Sequence, residues 1–269
     1  MENYHTDTTA LTKTQLATFI KSPVDFYETF ITRKLQKKST KQMVCGSVCH
    51  AVLLEGKDLE ECFVVYPESC LKSDGSINGK PAAAFREQHP EAIGFGKARE
   101  LIEISKVLYA VEDHQLGQLI ALADQREQEV YGSYNGRAIK CKPDFYTEGL
   151  IYDLKFMEDV SLPQIKRSFR NFSYWLQDAH YSAVVGGNPG FRFWLVETQY
   201  PYRIKTVVYD DRSREIARDN WRRAMDSFIQ AEADNEWVEE VEIELTLSPW
   251  DMPDNVEEEL DWSGVDDTV

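Results

Sequence analysis

The sequence has no uncharged apolar run of the ~18 residues that a membrane-spanning helix needs, and its start, MENYHTDTTALTKTQ, lacks the basic and apolar stretches of an export leader. A cytoplasmic protein without membrane association is therefore expected. Cysteine is scarce and odd in number: Cys45, Cys49, Cys62, Cys70 and Cys141, with no export signal, point to reduced thiols and not to a disulfide framework. The spacing of Cys45, Cys49 and His50 suits neither a zinc site nor haem attachment, so these cysteines are expected to be buried on a helix. No Gly-x-x-x-x-Gly-Lys-Ser/Thr phosphate loop occurs, which excludes a fused ATP-driven motor. Internal repeats are absent as well.

Basic residues are missing from one region only. Residues 232–269 hold 15 acidic residues and no Lys or Arg, whereas the preceding 231 residues hold 30 basic and 31 acidic ones. The net charge of −16 therefore belongs to the C-terminal segment, and the body before it is almost neutral. Local basic clusters, RKLQKKSTK from Arg33, Lys166 with Arg167 and Arg170, and Arg212, Arg214, Arg218, Arg222 and Arg223, keep a polyanionic partner within reach. The acidic segment carries only isolated apolar residues, Val256, Leu260, Trp262 and Val265, which suits a partner-ordered or DNA-competing tail as well as a plain solvated one.

Hydrophobic periodicity divides the chain into a domain of residues 1–231 and the acidic segment 232–269. An N-terminal helical part, 12–96, precedes a core, 97–231. Leu16, Phe19 and Ile20 follow a helix start at Thr12 or Thr14; Ser22-Pro23 opens a second short helix. VCGSVCHAVLLE reads as a buried helix, residues 66–96 as a long connection with at most short helices, and 97–112 as another helix. From Glu127 the period becomes that of strands. Two turn signals, Asn135-Gly136 and Glu148-Gly149, separate three segments expected to form an antiparallel meander. Helices at 162–170 and 174–185, two strands in FRFWLVETQ and YRIKTVVYD, and a basic helix at 212–231 complete an α/β sandwich around one mixed sheet.

The segment KCKPDFYTEGLIYDLKF puts two aspartates and a lysine into a stretch otherwise ready for burial. Alternate side chains of a strand share a face, so Asp153 and Lys155 project together while Leu154 points into a core. A hairpin of this length can bring Asp144 beside Asp153. Two crowded carboxylates repel unless a cation lies between them, and hard oxygen ligands suit Mg²⁺ or Mn²⁺. An ammonium there can orient an attacking water and neutralise a phosphate. An Asp-x-Lys on a solvated edge strand is the bland alternative, and it is the commoner meaning of the triplet alone.

The neighbourhood shifts that balance. SPVDFY, GSVCHAVLLE, KCKPDF, IYDLKF, YWLQDAHYSAV and FWLVETQYPYRI occur in an order and spacing that resembles the PD-(D/E)xK nuclease superfamily, within it the RecB-like branch, and most closely the RecE family of exonuclease VIII type. The resemblance spans residues 12–230 and implies a restriction-endonuclease-like core, a mixed central sheet flanked by helices. It implies Asp144, Asp153, the Leu154 carbonyl and His50 at the metal, Lys155 as the catalytic lysine, and Gln177 with Tyr181 orienting the site and the DNA end. Glu129 is an additional carboxylate candidate. Some RecB-like nucleases carry an iron–sulfur cluster on cysteines after the core; no cysteine follows Cys141, so none is expected. Phe156 and Met157 depart from the small hydroxyl residues usual after the lysine.

The implied activity is Mg²⁺-dependent hydrolysis of double-stranded DNA ends, 5′ to 3′, in phage-type recombination, by a homo-oligomer working with a single-strand annealing protein. Two competing readings stay open: a non-catalytic DNA-binding module that keeps the fold, and a DNA mimic that acts through the acidic tail.

Overall fold

The computed structural model describes residues 7–35, 40–147 and 149–237. The acidic segment from residue 238 onward, and the middle of the RKLQKKSTK cluster, lie outside the described residues. The described part falls within one compact unit that ends at Trp237.

Local chemistry starts each N-terminal element. Thr12 caps α1 (Lys13–Lys21) through a reciprocal box: its hydroxyl accepts the Gln15 N–H at 3.2 Å, and the Gln15 side chain accepts the Thr12 N–H at 2.8 Å. Ser22 ends α1 and caps α2 (Pro23–Phe26), whose first position holds a proline that has no N–H to lose. α3 (Lys41–Glu55) stops at Gly56, φ 69°, a left-handed conformation that only the missing Cβ makes cheap. Then follow α4 (Leu59–Cys62), β1 (Phe63–Val65), α5 (Gly79–Glu87), β2 (Gly94–Gly96), α6 (Ala98–Glu112) and α7 (Gln115–Ala121). The region expected to be mostly connection thus contains a small parallel pair, β1 with β2.

The second half runs β3 (Gln125–Arg126), β4 (Val130–Tyr134), β5 (Arg137–Cys141), β6 (Phe145–Thr147), β7 (Leu150–Met157), α8 (Leu162–Asn171), α9 (Tyr174–Val185), β8 (Gly190–Glu197), β9 (Ile204–Val207) and α10 (Asp211–Asp234). The fold is mixed α/β. Its central sheet has the order β3-β6-β7-β8-β9, with β7 and β8 parallel across the α8–α9 crossover and the other pairs antiparallel.

The expected three-stranded meander is corrected here. β4 and β5 form a separate two-stranded ribbon, and the chain changes sheets at Lys142-Pro143, where a proline cannot donate to a ladder. Leu11 adds to this ribbon, its N–H donating to the Ala138 carbonyl at 2.9 Å and its carbonyl accepting the Lys140 N–H at 2.9 Å.

Three apolar clusters fix the layers. α3, α6 and α7 pack on one sheet face against Phe145, Tyr152, Leu154, Trp194 and Val196. α8 packs on the other, with Ile165 and Phe169 against Ile151, Phe193 and Leu195. α1, α9, α10 and β5 share a third cluster around Leu16, Ile139, Leu176 and Trp221. Cys49, Cys62 and Cys141 are buried among these side chains as free thiols, and Cys70 is buried with Tyr66 and Ala82. No helix of the described residues is long and apolar enough to cross a membrane.

His180 joins the third cluster to the ribbon. Fully buried, its Nδ1 accepts the Trp221 indole N–H at 3.1 Å, which leaves Nε2–H to donate to the Lys140 carbonyl at 3.1 Å. A protonated ring would turn a donor toward the indole donor. Burial, against weaker help from backbone carbonyls, accordingly pulls this imidazole from 6.5 down to about 4. Because the folded value lies below the unfolded one, the unfolded chain binds more protons between them, so the contribution is complete above pH 6.5 and is lost as pH falls toward 4. Urea unfolding of the wild type and His180→Gln across that window should show the wild type losing on the order of 3 kcal/mol more than the variant. Equal pH slopes would mean that the ring is not held neutral.

Candidate metal centre

Strand geometry assembles the acid pair. β6 pairs with β7 in the register Phe145 with Tyr152, so the next step outward sets Asp144 opposite Asp153. Along β7 the side chains alternate: Tyr152 and Leu154 enter the α3–α6 cluster, while Ile151, and with it Asp153 and Lys155, face the α8–α9 side. Both aspartates are buried, Asp153 at 1% and Asp144 at 8% exposure. Asp144 Oδ2 accepts the Leu154 N–H at 2.5 Å, which pins the carboxylate between the strands. Leu154 itself, the residue whose carbonyl the resemblance implies as a ligand, follows Asp153 directly and buries its side chain in the opposite layer.

From the crossover side, α9 reaches in. Gln177 Nε2 donates to Asp153 Oδ2, and Asp153 Oδ1 faces the Lys155 ammonium as an ion pair with no hydrogen bond of its own. Tyr181, one turn on, donates to the Lys142 carbonyl at 3.4 Å and so braces the segment before Asp144. The Tyr174 ring lies under Lys155, 5.1 Å from Nζ to the ring centre.

A third wall comes from α3. His50 Nδ1 stands 3.7 Å from Asp144 Oδ1 and 3.7 Å from Glu127 Oε1. His50, Glu127 and Asp144 each bring one ligand atom into a cluster within 4.8 Å. The carboxylate that the fold brings beside His50 and Asp144 is Glu127 and not Glu129. Glu129 lies just before β4 and is hydrogen-bonded by the Tyr131 hydroxyl at 2.7 Å on the surface. The difference arises because Glu127 adopts φ 50° and donates its N–H to the Asp144 carbonyl at 3.1 Å, which swings its side chain inward, where Lys142 pairs with it. A left-handed non-glycine residue leaves no periodicity in a sequence. Lys142 and Tyr174 also escaped sequence reasoning, although Lys142 lies only two residues before Asp144.

The charges show what the cluster lacks. Burial, reinforced by Asp153 and Glu127 and only partly countered by His50 and Lys155, pushes Asp144 up to about 7. For His50 burial works downward, yet Asp144 and Glu127 raise it overall; for Lys155 burial is likewise outweighed, by Asp153, Tyr174 and Asp144. Burial would raise Glu127, but His50 and Lys142 hold it below its ordinary value. A carboxylate that burial first, and its acidic neighbours second, keep protonated to near neutrality would ionise more readily beside a cation. The carboxylate oxygens, with no thiolate among them, are hard donors that fit Mg²⁺ or Mn²⁺, and the single imidazole nitrogen is the softer member of the set.

A family model described as "PDDEXK-like domain of unknown function (DUF3799)" matches residues 12–244. The crystal structure of a "Putative exonuclease" from Eubacterium rectale matches with a TM-score of 0.63 at 16% identity, over 92% of this chain and 95% of that one. A "phage related exonuclease" from Haemophilus somnus matches with a TM-score of 0.36 at 14% identity, over 84% of this chain and 96% of that one. No curated protein matches the chain.

Titration calorimetry with Mn²⁺ should show affinity rising as pH increases through about 7, because Asp144 must release its proton to bind. Glu127→Gln and His50→Ala should each weaken binding by about tenfold or more, while Glu129→Gln leaves it unchanged. A loss in Glu129→Gln as large as in Glu127→Gln would refute the choice of carboxylate.

Proposed function

The chain belongs to the PDDEXK-like domain family DUF3799, and from that membership we propose that it is a divalent-metal-dependent DNA exonuclease of the RecE kind, acting 5′ to 3′ on double-stranded ends. The observation that carries the reading is the convergence of Asp144, Asp153, Lys155 and Gln177 on one buried point, with His50 and Glu127 opposite. Buried charges of this number are costly to gather unless a reaction uses them.

Asp144, Asp153, His50 and Glu127 would hold the cation, with Mg²⁺ as the physiological choice. When bound, it supplies neutralisation of phosphate charge and a more acidic water. The chain's own groups do the rest. The Lys155 ammonium, held over Tyr174, orients the attacking water and balances charge building on the phosphodiester oxygens. Gln177 fixes the Asp153 carboxylate so that it cannot rotate away when Lys155 turns to substrate. Tyr181 steadies the strand crossing that carries Asp144.

A role in phage-type recombination, a cytoplasmic setting, a homo-oligomeric assembly and a single-strand annealing partner belong to the same proposal. A non-catalytic DNA-binding or DNA-mimic protein is the other reading; the complete acid–acid–lysine set disfavours it, since such a protein has no use for a half-buried lysine paired to buried Asp153. Purified Asp153→Asn and Lys155→Ala should each lose cleavage of labelled duplex by about a thousandfold or more while melting near the wild-type temperature. Duplexes blocked at one 5′ or one 3′ end should be spared only by the 5′ block. Near-wild-type cleavage by either variant, or by the wild type in excess chelator, would sink the assignment.

A further inference from the structure

The corner between α8 and α9 carries a group of side chains that the hydrolytic site does not use. α8 buries Ile165 and Phe169 and turns Lys166, Arg167 and Arg170 to solvent. No carboxylate pairs with these three among the described residues, whereas Arg203, Arg214 and Arg222 pair with Glu197, Asp178 and Asp219. At the end of α8 stands Phe172, a large apolar side chain 60% exposed, after which Ser173 at φ 50° turns the chain into α9. The Phe172 ring stacks on Tyr174, with centres 5.9 Å apart and planes 25° apart.

That same Tyr174 ring is shared by two ammonium groups: Lys155 at 5.1 Å from its centre, and Lys13 of α1 at 5.8 Å. Lys13 is half-buried, and it donates to the Phe172 carbonyl at 2.9 Å. Among the described residues no carboxylate pairs with it. Burial and the neighbouring Lys155 charge, against Asp153, pull it down to about 8. Lys155 has Asp153 as its ion-pair partner, but Lys13, with only a neutral carbonyl partner, can take an anionic one. The exposed Phe172 ring, stacked on Tyr174 and followed back along α8 by cations without acidic partners among the described residues, leaves room for a further planar partner. A nucleic-acid strand offers both, a phosphate and a base in every unit.

Resting on the exonuclease reading above, we propose that this corner seats the DNA strand next to the cut. Lys13 binds a backbone phosphate neighbouring the one served by Lys155, and Phe172 stacks on a base of the same strand. The three α8 cations extend the track outward from the site. An apolar protein partner would use Phe172 but has no use for the cations around it.

The full chain carrying Asp153→Asn, with Mg²⁺ present so that binding is read without cutting, would be titrated with a fluorescent duplex bearing a short overhang. Added Phe172→Ala should weaken binding about five- to a hundredfold, and Phe172→Trp should retain it. Added Lys13→Gln should weaken binding and lower the slope of log affinity against log salt by about 0.7–0.9, the loss of one phosphate contact, while Lys13→Arg keeps the slope. Lys80→Gln, on α5, serves as the remote control. If the Asp153→Asn parent binds tightly and both Phe172→Ala and Lys13→Gln bind like it with the same slope, the inference fails and the exonuclease reading stands. It fails in the same way if Lys13→Gln alters only the melting temperature. A parent that does not bind DNA at all overturns both.

Discussion

The site depends on one antiparallel pairing, β6 with β7, which ends where two aspartates come opposite one another. Continued one residue further as regular ladder, it would press two carboxylates together with nothing between them. The chain leaves the ladder there, and Asp144 takes the Leu154 N–H with its side chain, satisfying a donor of the central strand. That hydrogen bond holds the carboxylate close to Asp153 whether or not the charges favour it. Everything around it answers the resulting excess of negative charge: His50 from α3, Lys155 from β7, and Lys142 across Glu127. Even with these groups around it, burial leaves Asp144 reluctant to ionise, which is where the proposed cation would act.

Charge at larger scale follows the same local logic. The basic residues of α10, which as a sequence look like one cluster, serve different ends in the fold. Arg214 grips buried Asp178 with two nitrogens at 2.8 and 2.9 Å, Arg218 donates to the Asn188 side chain, and Arg222 pairs with Asp219. These cations are engaged in holding α9, the β8 approach and the helix itself. α8 differs in its place: its cations, like Arg212 and Arg223 of α10, have no acidic partners among the described residues, but α8 packs beside Tyr174 at the edge of the site. Net charge therefore says little about where a polyanion can approach; the unpaired cations decide it.

Much of this was legible in the sequence, for physical reasons that also mark the limits. α9 was readable at its full length, because no glycine or proline interrupts residues 174–185 and Gly186-Gly187 ends the helix. The opposed faces of Asp153 and Leu154 follow from strand alternation alone. The meander was misread because Asn135-Gly136 and Glu148-Gly149 signal hairpins equally well within one sheet or in two; the information that separates them is the single proline at 143. The β1–β2 pair escaped because three-residue strands with two glycines carry no period. Glu127 escaped because its direction is set by a backbone conformation, not by its place in a strand pattern. Gly46, one turn before the α3 histidine, is not forced by close packing: a Cβ there would meet the Phe156 ring at an ordinary 3.8 Å. The bulk of Phe156, next to Lys155, fills that space and sets its ring centre 5.5 Å from that of His50.

α9 then emerges as the element that ties the pieces into one site. Its side chains reach two separately held stretches of backbone: Gln177 grips Asp153 on the central strand, while His180 and Tyr181 hold the carbonyls of Lys140 and Lys142 at the end of the ribbon. The ribbon and the central sheet share no ladder hydrogen bonds, so the distance between Asp144 and Asp153 rests on these contacts as much as on the β6–β7 register. A helix is suited to this role. Its hydrogen bonds are internal, so it can span two sheets as a rigid body without borrowing from either ladder. The neutral imidazole of His180 matters for the same reason: a ring that accepts from Trp221 and donates to Lys140 fixes α10, α9 and the ribbon in a single chain of bonds, and that chain ends two residues from the strand crossing that delivers Asp144.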